Sequence, residues 1–209
     1  MPELGLFPLP IVLVPTERIP LHIFEPRYRE LIDECIELGE EFGFVLATGD
    51  GAVHEIGTRA RVVQVAEVLD DGSTNIIVEG GDRFRLLDLT SGRAFTTGTV
   101  ESVLDDDEPA LGADVERALE LFGELAELSE SDVEIPDPLS PLFDFELAAR
   151  VDFAVEAKQE LLSMTSPRAR MTALLGMLEV ALEAIKLELT LRERAGRNGK
   201  VAPLDPETP

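Results

Sequence analysis

Several residue types are scarce in this chain of 209 residues, and each scarcity excludes a kind of site. Tryptophan is absent, tyrosine and cysteine occur once each, and there are two histidines. One cysteine cannot form an intramolecular disulfide, and neither a CxxC pair nor a Cys/His cluster is available to bind zinc. The sequence therefore predicts a protein of the reducing cytoplasm, without a metal site and without a cofactor.

Positive charge and long apolar runs are scarce as well. The 18 Lys and Arg residues face 42 Asp and Glu residues, which gives a formal net charge of −24. Residues 101–160 contain 19 acidic and 3 basic residues, so this stretch supplies −16 of that charge. The acidity predicts no nucleic-acid partner. No membrane span is predicted either, because the sequence contains no run of about 18 apolar residues. Because no DxDxDG loop is present, the acidic stretch is interpreted as a solvated surface and not as a calcium site.

Catalytic motifs are missing too. The sequence contains no GxxxxGK[ST], HExxH or GxSxG, and no strand followed by GxGxxG. Within residues 20–35, His22, Glu25 and Cys35 could form a base, an orienting group and a nucleophile. Cys35, however, lies on the apolar face of a predicted helix, which favours a core cysteine. His22 is predicted to be structural or to line a groove, and His54 to be solvated in a polar loop, so no catalytic residue is assigned.

The first half of the chain is predicted to be a β-barrel over residues 1–104. Four prolines cut the apolar run of residues 4–23 into short extended pieces, as expected at sheet edges. A helix should begin near Pro26 and end at Gly39. Its predicted apolar face consists of Tyr28, Leu31, Ile32 and Cys35. Five or six strands follow, with an Asp-Gly hairpin turn and a turn or bulge at Gly80-Gly81, and such strands around one short helix indicate a closed or partly closed barrel.

The second half is predicted to be an α-helical bundle over residues 105–194, followed by a flexible tail over 195–209. A first helix opens at Pro109, and a segment with three prolines separates it from two shorter helices. One face of that first helix is predicted to carry Val115, Leu119, Phe122 and either Leu125 or Ala126. Ser166 is the predicted N-cap of a last helix that ends near Arg194.

Four segments occur in an order that is similar to one known family. These are "LFPLPIVLVPTERIPLHIFEPRYRELI", "IGTRARVVQV", "DGSTNIIVEGGDRFRLL" and "KQELLSMTSPRARMTALLGMLEVAL". The chain resembles the N-terminal domain of Lon proteases over most of residues 3–190, and the first segment is the most specific. Thr16-Glu17 stands where the family usually has Pro-Gly.

The resemblance implies an α+β fold, a PUA-like β-barrel followed by a helical bundle, that recognises substrate protein. In full Lon proteases an ATPase module and a Ser-Lys peptidase follow, and motifs of neither occur in these 209 residues. We therefore expect a stand-alone, non-enzymatic domain whose partner is unfolded polypeptide or another protein, such as a separate protease. The alternatives are a component of an ATP-dependent peptidase and, disfavoured by the acidity, an RNA-binding module.

The candidate binding residues lie in the segments that carry the resemblance. They are His22, Phe24, Glu25, Arg27, Tyr28, Arg83 and Phe84. Arg27, Arg83 and the neighbouring Arg85 could orient carboxylates or carbonyls of a bound polypeptide, and apolar residues near the first segment could supply contact area. The alternative interpretation is structural: the three aromatic residues belong to the core, and Glu25 with Arg27 fixes the start of the helix.

Overall fold

The computed structural model describes residues 3–49 and 51–198, and within them the chain forms six strands and five helices. The strands are β1 (Glu3–Leu9), β2 (Arg18–Ile23), β3 (Phe42–Leu46), β4 (Ile56–Val68), β5 (Thr74–Thr90) and β6 (Thr97–Ser102). The helices are α1 (Pro26–Leu38), α2 (Gly112–Leu128), α3 (Phe143–Ala148), α4 (Val155–Ser163) and α5 (Pro167–Asn198). None of the helices in these residues is long and apolar enough to cross a membrane.

The six strands form one mixed sheet in the order β2-β5-β4-β3-β1-β6, and β5 also pairs with β6. Only the β1–β3 pair is parallel. The prediction that the proline-rich start lies at sheet edges is correct for β2 and wrong for β1, which lies between β3 and β6. Pro8 is tolerated there because β6 pairs with Glu3–Gly5 of β1 and does not reach the proline.

Strand β5 is continuous over 17 residues, although the sequence suggested two strands separated at Gly80-Gly81. The turn predicted there is wrong, and the bulge is confirmed as a register shift opposite the glycines, between Thr58 and Ala60 of β4. The carbonyl oxygen of Val14 approaches so closely that a Cβ atom on Gly80 would lie 2.2 Å from it. The strand therefore needs glycine at position 80 because another part of the backbone crosses it.

Helix α1 confirms its prediction closely. It begins at Pro26, buries the four predicted residues of its apolar face, and ends at Gly39, which has the left-handed φ of 68°. The helix packs on β3 and β4. Tyr28 contacts Phe7 of β1, with ring centroids 4.4 Å apart. The periodic apolar residues of α1 thus cover one face of the sheet and form its core.

The helices of the second half share a separate hydrophobic core to which α2, α3, α4 and α5 all contribute. Helix α2 begins at Gly112 and not at Pro109, because the preceding segment hydrogen-bonds to the start of α5: the N–H of Asp106 donates to the Thr165 carbonyl at 2.8 Å. The residues buried on α2 are Ala118, Leu121, Phe122 and Leu125. Two of the four predicted positions are therefore correct, and the other two, Val115 and Leu119, are half-buried.

Helix α5 starts as predicted, because the Ser166 hydroxyl accepts a hydrogen bond from the Ala169 N–H at 3.2 Å. It continues through Asn198, beyond the predicted end at Arg194, so the first residues of the predicted tail are helical. The remaining residues of that tail, 199–209, lie outside the described residues.

The turn between β1 and β2 contains the departure from the family pattern. Thr16 adopts a left-handed conformation with φ of 70°. The Glu17 carboxylate is buried, accepts the Val14 N–H at 3.0 Å, and lies 2.6 Å from the Lys158 ammonium of α4. Glu17 therefore stabilises the turn internally and also connects it to the helical half.

Candidate functional site

Four of the seven predicted binding residues lie together where β2 ends and α1 begins. These residues, His22, Phe24, Glu25 and Arg27, are called the Phe24 surface below. Strand β2 positions the first of them, and the first turn of α1, which Pro26 starts, positions the last. They are at least partly exposed, so a partner can reach them.

His22 is oriented by a chain of polar side chains that crosses three strands. Its Nδ1 atom lies 2.8 Å from Oδ1 of Asn75 on β5, and the Nδ2 atom of Asn75 donates to Glu67 of β4 at 3.2 Å. Because the Asn75 amide nitrogen is used toward Glu67, the Asn75 oxygen accepts, and the His22 Nδ1 atom carries the proton. In the tautomer with the proton on Nδ1, the Nε2 atom is a hydrogen-bond acceptor for a partner.

Phe24 is the most unusual member of the surface. Its side chain is 62% exposed, so the interpretation of Phe24 as a core residue is wrong. The ring stacks on His22, with centroids 5.8 Å apart and planes inclined by 23°. His22 covers one face of the Phe24 ring. The other face is left open to solvent or to a bound polypeptide.

Glu25 and Arg27 interact with each other and with the helix. The Glu25 carbonyl accepts the N–H groups of Tyr28 and Arg29, both at 3.0 Å, and the Glu25 side chain accepts from the Arg27 guanidinium at 2.8 Å and 3.0 Å. The guanidinium also lies over the Tyr28 ring, 4.4 Å from its centroid. This geometry agrees with the alternative interpretation, in which the two charged residues fix the start of α1.

The other three predicted residues cannot contact a partner in this structure, because each is buried. Phe84 is 0% exposed and Tyr28 6%, and both belong to the hydrophobic core as the alternative interpretation proposed. Arg83 is 5% exposed and points between β5 and the helical half. Burial therefore removes Tyr28, Arg83 and Phe84 from the candidate surface.

Arg83 instead belongs to a buried charge network that joins the two halves. It donates to the carbonyls of Leu162 and Met164, at 2.8 Å and 2.5 Å, and to Asp105. Arg170 of α5 donates to Asp105 at 2.8 Å and to Asp144 of α3 at 2.7 Å. Two arginines thus face two carboxylates, and the excess positive charge expected at a carboxylate-binding site is absent from this network.

The network changes the acidity of its carboxyl groups in opposite directions. Burial tends to raise the pKa of Asp105, but hydrogen bonds and charge from Arg170 and Arg83 outweigh it and hold that pKa below its ordinary value. Burial dominates at Asp144 and raises its pKa, against the opposing effect of Arg170. The expectation that the whole stretch 101–160 is a solvated acidic surface is therefore wrong at these two residues, which lie against arginines.

Asp105, Asp144 and Arg170 were not predicted from the sequence to be functional or to form a network. One usable signal was the position of Arg170, four residues before Leu174, which places the arginine on the buried face of α5. A charged residue on an apolar helical face requires a partner of opposite charge. No local pattern, however, identifies which of 19 acidic residues in 101–160 supplies that partner.

The structural role predicted for Cys35 also has a clear outcome. Cys35 is buried, and burial first, then Glu34 and Glu40, raises the pKa of its thiol to about 11. The interpretation as a core cysteine is confirmed, since a neutral thiol is a poor nucleophile. His54 is exposed, as predicted. Within residues 3–49 and 51–198, no group of three or more His, Cys, Asp or Glu residues is placed to hold a metal ion.

Comparison with known proteins identifies the class to which this fold belongs. The profile of the family described as the ATP-dependent protease La (LON) substrate-binding domain matches residues 3–180. The chain therefore belongs to the LON substrate-binding domain family, and the resemblance seen in the sequence is confirmed.

Particular relatives include Lon proteases of bacteria. The Lon protease of Anaeromyxobacter dehalogenans is 29% identical over 197 residues, which are 84% of this chain and 23% of the relative. The Lon protease of Solibacter usitatus is 26% identical over 155 residues, which are 69% of this chain and 19% of the relative. The chain thus spans about a quarter or less of the length of these relatives.

Solved structures show the same fold. The crystal structure of a Lon N-terminal domain protein from Xanthomonas campestris has a TM-score of 0.66 and 26% identity, and the match covers 84% of this chain and 98% of that one. The N-terminal domain of the Mycobacterium avium complex Lon protease also has a TM-score of 0.66, at 17% identity, over 85% of this chain and 98% of that one. The mixed six-stranded sheet with five helices is thus the Lon N-terminal fold.

Proposed function

We propose that this domain binds unfolded polypeptide, without catalysing a reaction, through the Phe24 surface and the neighbouring edge of β2. The observation that carries the proposal is the 62% exposure of Phe24 beside an edge strand, in a chain of the LON substrate-binding family. The proposal retains four of the predicted residues, His22, Phe24, Glu25 and Arg27.

The edge of β2 supplies the second element of the site. Among the described strands, β2 pairs only with β5, so the main-chain groups on its other side are open to an added strand. An extended polypeptide can pair with such an edge by main-chain hydrogen bonds, which depend little on the sequence that is bound. Pro20 offers no N–H group, which shortens the available ladder. Phe24 and the Nε2 atom of His22 would then contact side chains of the bound segment.

The same proposal includes a finer description of the fold. Pairing of β5 with β6 connects the two ends of the row β5-β4-β3-β1-β6, which supports a PUA-like barrel over residues 1–104. The common core of α2, α3, α4 and α5 supports a helical bundle over residues 105–194. In this arrangement the barrel carries the polypeptide-binding edge.

The purpose of binding is proposed from the relatives. Their names describe proteases, so we propose that polypeptide bound here is a substrate of proteolysis or that the domain contacts a separate protease. The single buried cysteine agrees with a cytoplasmic location.

Binding can be measured by the fluorescence anisotropy of labelled α-lactalbumin that has been reduced and carboxymethylated, so that it stays unfolded. Phe24→Ser should weaken binding about tenfold, as expected when a central apolar contact is lost. Leu187→Ser on α5 is the matched control, because Leu187 is 61% exposed, and this variant should bind as the wild type does. Equal affinity of all three proteins, or equal binding of folded α-lactalbumin, would overturn the proposal.

The non-enzymatic part of the proposal has its own test. The purified 209-residue protein should neither hydrolyse ATP nor degrade casein, since its sequence contains neither a phosphate-binding GxxxxGK[ST] loop nor a peptidase motif. Phosphate release and casein fragments, measured over hours at micromolar protein, should equal those of a buffer control. Turnover that copurifies with the protein through several columns would contradict this part.

A further inference from the structure

A concave surface lies on the helical half, and no residue of the Phe24 surface lines it. It is a cavity of about 400 Å³ between the segment that follows β6, the starts of α2 and α5, and the loop before α3. Val115, Phe143 and Met171 supply apolar lining. The remaining apolar lining consists of Ala110, Pro109, Pro138, Pro141 and Pro167. This size and composition suit the side chain of a bound peptide.

Exposed leucines stand beside this cavity. Leu104 is 79% exposed, Leu111 51% and Leu139 89%. Each is the chain neighbour of a residue that lines the cavity. A single exposed leucine is ordinary on a soluble protein, but several next to one apolar cavity indicate an interaction surface.

The charge around the cavity has one sign. Every titratable side chain that lines it, among the described residues, is acidic. Arg170 pairs with Asp105 and Asp144, whereas Asp106 and Glu108 accept only hydroxyl hydrogen bonds, from Thr165 and Ser166 at 2.7 Å. A hydroxyl donor leaves the carboxylate charge uncompensated.

Arg168, at the start of α5, directs its guanidinium to the backbone of the acidic segment. Its Nε atom donates to the Pro109 carbonyl at 3.3 Å, and its N–H donates to the Glu108 carbonyl at 3.0 Å. These bonds, with the Asp106 N–H bond to Thr165, hold the acidic segment against the start of α5. The acidic segment beside the cavity is therefore held in place before a peptide binds, which lowers the entropy cost of binding.

From these observations we infer that the cavity is a docking site for an extended basic peptide, in which an aliphatic side chain enters the cavity and flanking Lys or Arg residues pair with Asp106, Asp107 and Glu108. Charge complementarity selects this occupant over a second copy of the chain, because two copies with a net charge of −24 each repel one another. The inference does not depend on the Phe24 surface.

The test uses two fluorescein-labelled peptides with the same leucine spacing, KLKLKLK and ELELELE, and follows anisotropy at low salt. The basic peptide should bind and the acidic one should not. Asp107→Lys should weaken binding of the basic peptide about tenfold, and Leu139→Ser should weaken it severalfold. The matched control is Glu37→Lys on α1, which makes the same change in net charge at an exposed position and should alter the dissociation constant less than about twofold.

Circular dichroism verifies that each variant is folded, and the peptide titrations are carried out in the Phe24→Ser background, so that binding at the Phe24 surface contributes little to the measured affinity. Equal weakening by Asp107→Lys and Glu37→Lys would overturn the inference, because binding would then follow net charge alone. Binding of the acidic peptide, or a self-association of the wild type that Leu139→Ser abolishes in sedimentation velocity, would overturn it as well.

Discussion

Cys35 illustrates how a residue with reactive chemistry can serve only packing. Its thiol lies on the buried face of α1, beside Leu31 and Ile32, and its pKa of about 11 is well above the ordinary value of 9.0. Burial disfavours the thiolate, and the carboxylates of Glu34 and Glu40 disfavour it further. At neutral pH the thiol is therefore protonated and unreactive.

The first prediction concerns the pH dependence of this group. Because the pKa of Cys35 is higher in the folded than in the unfolded chain, its stabilising effect is complete below about pH 9 and is lost as pH rises toward about 11. The free energy of unfolding of the wild type should fall over that range more than that of Cys35→Ala, as measured by urea denaturation. At pH 8, Ellman's reagent should react slowly with the native protein and rapidly in 6 M guanidinium. Rapid labelling of the native protein would contradict the assignment.

The residue scale also shows what sequence could predict about the site. His22 and Phe24 are exposed and stack on each other, and their position at the end of a strand could be predicted from the local pattern alone. Arg83 and Arg85 share one face by strand alternation, yet Arg83 is buried and Arg85 is half-exposed. The end of α4 covers Arg83 from about 80 positions further along the chain. Such non-local coverage has no signature in the local sequence.

At the scale of the element, strand β5 can form only because the glycine at position 80 lets the turn before β2 cross it closely. The strand pairs with β2, β4 and β6 along its length, and the turn before β2 crosses it at Gly80. The Thr16 N–H donates to the Gly80 carbonyl at 2.8 Å, and the Gly80 N–H donates to the Glu17 carbonyl at 2.9 Å. These two bonds hold the turn on the strand.

The second prediction compares the two neighbouring glycines of this strand. Gly80→Ala would place a Cβ atom 2.2 Å from the Val14 carbonyl oxygen, and a backbone group cannot move aside cheaply. It should lower the free energy of unfolding by about 3 kcal/mol, at the upper end of the usual cost of overpacking. At Gly81 the nearest atom would be 3.4 Å away, so Gly81→Ala should cost less than about 1 kcal/mol. Urea denaturation of both variants checks the order, and equal costs would contradict it.

Element prediction succeeded where the signal was local. The bounds of α1 and the start of α5 followed from apolar period, proline and capping residues. The continuity of β5 and the late start of α2 could not be predicted in this way, because each depends on hydrogen bonds to distant backbone. Gly80 of β5 bonds to the turn at Glu17, and Asp106, before α2, bonds to Thr165. Local propensity carries no information about such partners.

At the scale of the whole molecule, three polar contacts join the sheet to the helices. Arg83 donates to carbonyls at the end of α4, Lys158 pairs with Glu17, and Gln159 donates to the Ile56 carbonyl at 3.0 Å. All three contacts are largely buried, so separating the halves would expose polar groups that have lost their partners. The barrel and bundle proposed as subdomains should therefore unfold together.

The third prediction tests this coupling with two spectroscopic probes. Tyr28, the only tyrosine in a chain without tryptophan, reports on the sheet half by fluorescence, and ellipticity at 222 nm reports mainly on the helices. The two urea transitions should coincide in the wild type. Arg83→Met should lower both midpoints together and reduce the free energy of unfolding by about 3–5 kcal/mol. It removes the Arg83 donor from the Leu162 and Met164 carbonyls and leaves Arg170 as the single arginine that faces both Asp105 and Asp144.

The matched control for Arg83→Met is Arg85→Met on the same strand. Arg85 is half-exposed, and its nearest carboxylate, Glu101, is 3.9 Å away, so its removal should cost less than about 1 kcal/mol. Two separated transitions in the wild type would show that the halves are independent and would contradict the coupling.

The central claim is that unfolded polypeptide adds to the edge of β2 beside Phe24, and hydrogen exchange tests it most directly. Amide exchange followed by mass spectrometry would be compared for the free protein and for the protein saturated with reduced, carboxymethylated α-lactalbumin. Since an added strand covers main-chain groups, peptides that contain Arg18–Ile23 and Phe24 should exchange more slowly in the complex, while those from α5 should not change. Protection confined to the helices, or no protection at β2 at a saturating concentration, would contradict the account.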